Sequence, residues 1–185
     1  MFLRTLVTYL FFFNFFLNVH ATEKQSIINH LSKIDNFSFD FKQVTKEKIE
    51  IGSCVLKFDK KLKCNYDDRL QKEIIINNKT LVILQKKYDK IYFYPISKSP
   101  FFNILSKNKL INLITESNLV LNKNIELVYT DKNQKIITVF FNKNNYELIG
   151  WLIEDEFQNM INFSLKIKKI NSVLKKDYFK IPTLN

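Results

Sequence analysis

Phe37-Ser38-Phe39-Asp40-Phe41-Lys42 sets three aromatic side chains in strict alternation with three polar ones. A period of two belongs to a strand, because successive side chains point to opposite faces of the pleat. The stretch reads as a half-buried strand with an aromatic inner face. Further strands are expected over Ile49–Phe58, Leu62–Tyr66, Glu73–Ile76, Leu81–Gln85 and Ile91–Tyr94. Asn77-Asn78 suits a hairpin turn, since asparagine tolerates positive φ. The alternation resumes over Ile125–Thr130, Lys135–Phe141, Tyr146–Glu154, Met160–Ile167 and a terminal Asp177–Ile181. On Met160–Ile167, Ile161, Phe163, Leu165 and Ile167 share one side. Trp151 and Ile153 share a face opposite Leu148, Gly150 and Leu152, so that strand is apolar on both sides.

Helical spacing brackets this pattern. Before it, Ile27, Ile28, Leu31 and Ile34 recur as one apolar stripe in Glu23 to Asp35. In mid-chain, Ser99-Pro100 opens a helix through Phe101, Phe102 and Leu105, with proline in its first turn, and a second short helix covers Lys109–Ile114. The expected fold class is α+β, mostly β. It is a single large curved antiparallel sheet, or incompletely closed β-barrel, of about 10–11 strands with a helical lid. On pattern alone, its apolar concave face either packs fully on itself and the helices or encloses a cavity for an apolar ligand.

Cys54 and Cys64 flank a polar centre at Asp59. If Asp59 is the tip of a hairpin, residues whose numbers sum to 118 face each other, and the two cysteines satisfy that sum. Facing Cα atoms lie about 4.5–5.5 Å apart, within disulfide range. A structural disulfide is expected, and a C-x-x-C redox pair is absent.

Residues Met1 to Ala21 combine Arg4, an apolar run from Leu6 to Leu17 and a Val19-His20-Ala21 end, with no acidic residue. These are the parts of a secretory signal peptide, and the run is shorter than the roughly 20 residues a bilayer span needs. Cleavage is expected after Ala21, leaving 22–185 as one domain in an extracytoplasmic space, where a disulfide persists. No cysteine follows the small residues, so no N-terminal lipid anchor is expected.

Composition excludes much chemistry. Beyond the leader His30 is the only histidine, and it sits on the first helix; Gly52 and Gly150 are the only glycines. Phosphate-cradling loops, multi-histidine metal sites and triads lack their raw material. No catalytic residue, metal or cofactor is expected, and no enzyme. Without Arg4 the chain has 28 Lys plus Arg against 18 Asp plus Glu, a balance of +10. Such charge suits anionic membranes, nucleic acid or acidic partner domains, and export disfavours nucleic acid. The lysines run along the whole chain, as on a solvated outer face.

In order along the chain, Phe41 to Gln43, the strand pair Gly52 to Leu56 and Leu62 to Tyr66, the hairpin Asn77 to Val82, Ser99 to Leu105, Leu148 to Phe163 and the late Asn171, Phe179 and Pro182 together resemble the outer-membrane lipoprotein carrier family LolA, from about Ile27 to Pro182. Phe41-Lys42-Gln43 matches its F-x-Q. Gly52-Ser53-Cys54-Val55-Leu56 and Leu62-Lys63-Cys64-Asn65-Tyr66 resemble its strand pair, and Asn77-Asn78-Lys79-Thr80-Leu81-Val82 its D-G-K-x-L-W hairpin. Ser99-Pro100-Phe101-Phe102-Asn103-Ile104-Leu105 echoes its t-P-x-x-l-L helix. Leu148 through Asp155, Gln158 and Phe163 follow its late strand pattern, and Asn171, Phe179 and Pro182 its final N, F and P. There are departures. Phe58-Asp59 stands where the family commonly has Arg-Pro, an arginine thought to help hold the lid closed, and Cys64 and Val82 fill its Trp positions.

The resemblance implies a periplasmic chaperone that carries the acyl chains of lipoproteins from the inner to the outer membrane. Phe37, Phe39 and Phe41 would floor the cavity, with Ile161, Phe163 and Leu165 as the opposite wall and Trp151 beside them. Ile27, Leu31, Ile34, Phe101, Phe102 and Leu105 would be the lid's underside. Implied partners are acylated lipoprotein cargo, an inner-membrane lipoprotein-releasing ABC transporter, and an outer-membrane acceptor or that membrane itself; the carrier would be monomeric. Two other readings share the half-barrel: a lipid- or glycolipid-binding or sensing domain, and a structural envelope module with a filled barrel.

Overall fold

The computed structural model describes residues 22–58, 60–96, 102–131, 134–155 and 158–182. Met1 to Ala21, expected as a signal peptide, and Asp59, Ser99-Pro100 and Phe101 lie outside the described residues. A helix α1 over residues 22–32 precedes six strands: β1 (Asn36–Thr45), β2 (Lys48–Lys57), β3 (Lys61–Tyr66), β4 (Lys72–Asn77), β5 (Thr80–Gln85) and β6 (Lys90–Pro95). Two helices follow, α2 (Phe102–Leu105) and α3 (Lys107–Glu116). The chain then adds β7 (Asn118–Leu121), β8 (Ile125–Thr130), β9 (Ile136–Phe141), β10 (Leu148–Glu154) and β11 (Met160–Ile170).

All eleven strands join one antiparallel sheet in the order β6-β5-β4-β3-β2-β1-β11-β10-β9-β8-β7. Neighbours in the sheet are consecutive in the chain everywhere except at the centre, where β1 lies beside β11 and joins two wings. Among the described residues β6 and β7 are the free edges, so the barrel is incompletely closed, and α2 and α3 lie between them in the chain. The β1–β11 seam is fastened at one end by two asparagines. Asn171 accepts the Asp35 backbone N–H at 2.7 Å and donates to the Lys33 carbonyl at 2.8 Å, while Asn36 exchanges hydrogen bonds with the Ser172 backbone.

The inner face is apolar from wing to wing. Phe37 and Phe39 stand opposite Leu56 and Cys54 on β2, and Leu56 faces Leu62 on β3. Across the seam, Trp151 pairs with Phe163 and with Val139. The helices bury their apolar stripes against this face: Ile27 and Leu31 from α1, Leu110, Leu113 and Ile114 from α3.

Three local readings are corrected. Asp177–Ile181 forms a turn rather than a strand. It lies over the outer face, where the Asn77 amide donates to the Phe179 carbonyl and Phe179 joins Ile75 and Val82 in burial. A short strand, β7, stands instead at Asn118–Leu121. Leu148 shares the inner face with Trp151 and Ile153, because a bulge between Leu148 and Gly150 shifts the register by one residue and turns Leu148 inward. Along the β1–β11 seam the register likewise shifts, between Ser38 and Phe39.

An apolar half-barrel under a helical lid

Alternation on β1 aims Phe37, Phe39 and Phe41 inward, and the pairing of β1 with β11 brings Leu165 opposite Phe41 and Phe163 opposite Gln43. The two strands are therefore neighbours on one wall, not opposite walls of a cavity. Direct pairing lets their rings stack. Phe163 lies parallel to Trp151 with centroids 4.3 Å apart, and on its other side parallel to Phe41 at 5.0 Å. Phe39 meets Phe163 edge-on, and Phe41 meets Tyr66 edge-on at 4.9 Å. Such rings supply large dispersive contact without fixing a ligand by polar anchors.

A small apolar cavity of about 50 Å³ lies between this stack and the lid. Phe39, Trp151 and Phe163 line it from the centre, Cys64, Ile74 and Leu81 from the β3–β5 wing, and Ile104 and Leu105 from α2. Cavities that enclose a small molecule run to roughly 300–1,000 Å³. Side chains of the lid, Ile104 and Leu105 among them, fill the space beside the cavity.

Polar contacts add to the buried apolar stripes in holding the lid. The Lys60 backbone N–H donates to the Leu105 carbonyl at 2.9 Å, tying α2 to the β2–β3 turn. The Lys24 ammonium donates to the carbonyls of Thr115 and Ser117, at 2.9 and 2.6 Å, and so ties α1 to the end of α3. Burial lowers the pKa of that ammonium. Lys107 lies 5.4 Å from the centroid of the Phe58 ring, donates to the Ser32 carbonyl and stands 3.9 Å from Asp35. The Lys60 and Lys107 contacts lie together at Phe58.

Of the expected site residues, Phe37, Phe39, Phe41, Trp151, Phe163 and Leu165 are buried together, and Ile161 is half-buried at the edge of that core. Ile27, Leu31, Ile34 and Leu105 face the sheet as lid residues would; Phe102 opens α2, and Phe101 falls outside the described residues. The sulfurs of Cys54 and Cys64 are bonded, at 2.04 Å, between facing residues on the inner wall. Sequence reasoning missed two features. One is the polar end of the inner face, where Lys72 bonds Glu50 and its ammonium lies 3.7 Å from the centroid of the Tyr66 ring. Burial pushes the Glu50 carboxyl up, but hydrogen bonds from Lys72 and Lys48 outweigh it and leave the pKa lowered. Burial raises the Tyr66 hydroxyl, with Glu50 and Asp68 adding to the effect. The other is buried Glu73 on the outer face, paired with Lys63 and Lys86. No two-residue pattern announces either group, since each partner comes from a different strand.

Among the described residues no cluster of His, Cys, Asp and Glu could hold a metal ion. The family described as "Outer membrane lipoprotein carrier protein LolA" matches residues 32–182. No curated protein matches the sequence. Among solved structures, an uncharacterized conserved protein from Thermus thermophilus is similar with a TM-score of 0.52 and 10% identity, over 86% of this chain and 93% of that one. A domain described as an outer membrane lipoprotein-sorting protein from Vibrio parahaemolyticus gives 0.50 and 11%, over 87% and 94%. The MucA/MucB complex of Pseudomonas aeruginosa gives 0.50 and 10%, over 88% of this chain and 61% of that one. At such identities these likenesses speak for the fold alone.

Proposed function

The chain belongs to the outer membrane lipoprotein carrier family LolA, and from that premise we propose that it is a periplasmic carrier whose inner face shelters the acyl chains of lipoproteins between the inner and outer membranes. The observation that carries the reading is the aromatic wall of Phe39, Phe41, Trp151 and Phe163 beneath the apolar faces of the helices. Each buried CH₂ is worth about 0.8 kcal/mol, so acyl chains do not cross water unshielded at a useful rate. A dispersive lining binds such chains and still lets them go. Opening of α1, α2 and α3 would convert the small cavity into a trough floored by β1 and β11. Cargo would arrive from an inner-membrane lipoprotein-releasing transporter and pass to an outer-membrane acceptor or directly to that membrane. The leader through Ala21 would deliver the chain to the periplasm, and residues 22–185 would act there as one monomeric domain.

Native mass spectrometry of the processed protein, incubated with a triacylated peptide, tests the reading. The expected result is a one-to-one adduct that detergent removes. A protein that stays folded and never takes up the peptide would overturn the carrier reading in favour of a filled structural barrel.

A further inference from the structure

Lysine is spread evenly over the two ends of the sheet, but the acids are not. Antiparallel hairpins alternate ends, so the turns closing β2–β3, β4–β5, β7–β8 and β9–β10 gather at one end of the sheet. The α1–β1 junction and the end of β11 meet them there, since Phe37 pairs with Ile170. By sequence these turns (58–60, 78–79, 122–124 and 142–147) hold Lys60, Lys79, Lys123 and Lys143 against Asp59 and Glu147. Lys57 and Lys61 flank the first turn, and Lys33 and Lys169 stand at the junction with Asp35. By sequence the turns at the opposite end (46–47, 67–71, 86–89, 131–135 and 155–159) carry six cations and seven acids, with Lys48, Lys72, Lys90 and Glu154 flanking them. One end is basic and the other close to neutral.

A second observation is independent of the count. Lys57 faces Lys61 directly across the β2–β3 pair, and no ion pair neutralises either among the described residues. Like charges directly opposite each other in a sheet are destabilising. A chain that keeps such a pair at a turn gains from positive potential there. The lysines of this end come from four separate turns and the α1–β1 junction, strung along the end of the sheet rather than gathered at one cleft, which suits a diffuse anionic surface.

We propose that this basic end docks the protein on the surface of an anionic lipid bilayer. The proposal rests on the carrier reading for its purpose, naming the surface where cargo is handed over, but the docking itself is measurable without cargo. It also orients the molecule. The Lys60–Leu105 hydrogen bond that tethers the lid lies at this same end, so the lid's anchor would face the membrane.

The test is flotation of the processed protein with vesicles of phosphatidylethanolamine and phosphatidylglycerol, compared with pure phosphatidylcholine. A basic-end variant (Lys57→Gln, Lys61→Gln, Lys79→Gln, Lys123→Gln) is set beside a control losing equal charge at the other end (Lys46→Gln, Lys87→Gln, Lys90→Gln, Lys135→Gln). A lysine near an anionic surface is worth about a fivefold change in binding, so the first variant should bind at least about tenfold more weakly and the control within about twofold of wild type. Acylated-peptide uptake, measured on the same samples, should be unchanged in both variants. Equal loss in the two variants would overturn the proposal, because net charge alone would then explain binding. Failure of the wild type to bind anionic vesicles, with binding only to membranes that keep their proteins, would overturn it in favour of an acidic protein acceptor. Docking without peptide uptake would leave the proposal standing and sink the carrier reading instead.

Discussion

At the scale of single residues, the inner wall depends on what is missing as much as on what is there. Gly52 faces Tyr66 across β2–β3 and lies under the Phe41 ring. A Cβ at this position would stand 2.1 Å from the Asn65 carbonyl oxygen and 2.9 Å from a Phe41 ring carbon. Backbone cannot yield as a side chain can, so Gly52→Ala should cost about 1–3 kcal/mol or more through overpacking. The measurement is the urea midpoint at unchanged slope; a midpoint within error of wild type would refute the account. The Phe37, Phe39 and Phe41 stripe was readable from alternation alone, because neighbours on one strand share a face by geometry. Its partners were not. The Phe41–Phe163–Trp151 stack joins three strands, and no local pattern says which distant strand lies next to β1.

At the scale of elements, the β2–β3 hairpin is where sequence arithmetic reached furthest. Cys54 faces Cys64, and Asn78 takes a positive φ of 57° in the β4–β5 turn, both as the residue pattern predicts. The disulfide closes a short loop in a hairpin already fixed by its neighbours. Replacing both cysteines by alanine should therefore cost somewhat under about 3 kcal/mol and leave the fold intact. Circular dichroism with a denaturant titration checks this; loss of the sheet on replacement would show the hairpin to depend on its bridge. Sequence reading stopped at β7, a four-residue strand whose Asn-Leu-Val-Leu is too short for a period to declare itself, and at the β10 bulge. One extra residue there inverts the face of Leu148. Asp177–Ile181 was misread because its apolar residues serve the outer face of β4 and β5 from a turn.

At the scale of the whole molecule, the open half-barrel under helices was legible, and the state of its cavity was not. Alternation marks an apolar face but cannot say whether helices or cargo fill it. On the carrier reading, with about 50 Å³ beneath the lid, the form that takes cargo is expected to be the minority one at rest. Uptake of a fluorescent acylated peptide should therefore level off as peptide concentration rises, at the rate of lid opening. Stopped-flow fluorescence reads this directly. A rate that stays proportional to peptide to the highest usable concentration would mean the trough stands open.

The central seam has a consequence for how the chain is made. Phe37 on β1 finds its partner, Ile170, only after nearly the whole chain has been synthesised. Until then the aromatic stripe of β1 has one neighbour in β2 and a bare edge on its other side, the kind of edge that pairs with the wrong strand. Folding is thus a late event that must span the length of the polypeptide, slow by the usual penalty on distant contacts and exposed to aggregation while it waits. A nascent chain halted before residue 160 would present half of its core to the surroundings and lack the strand that covers it.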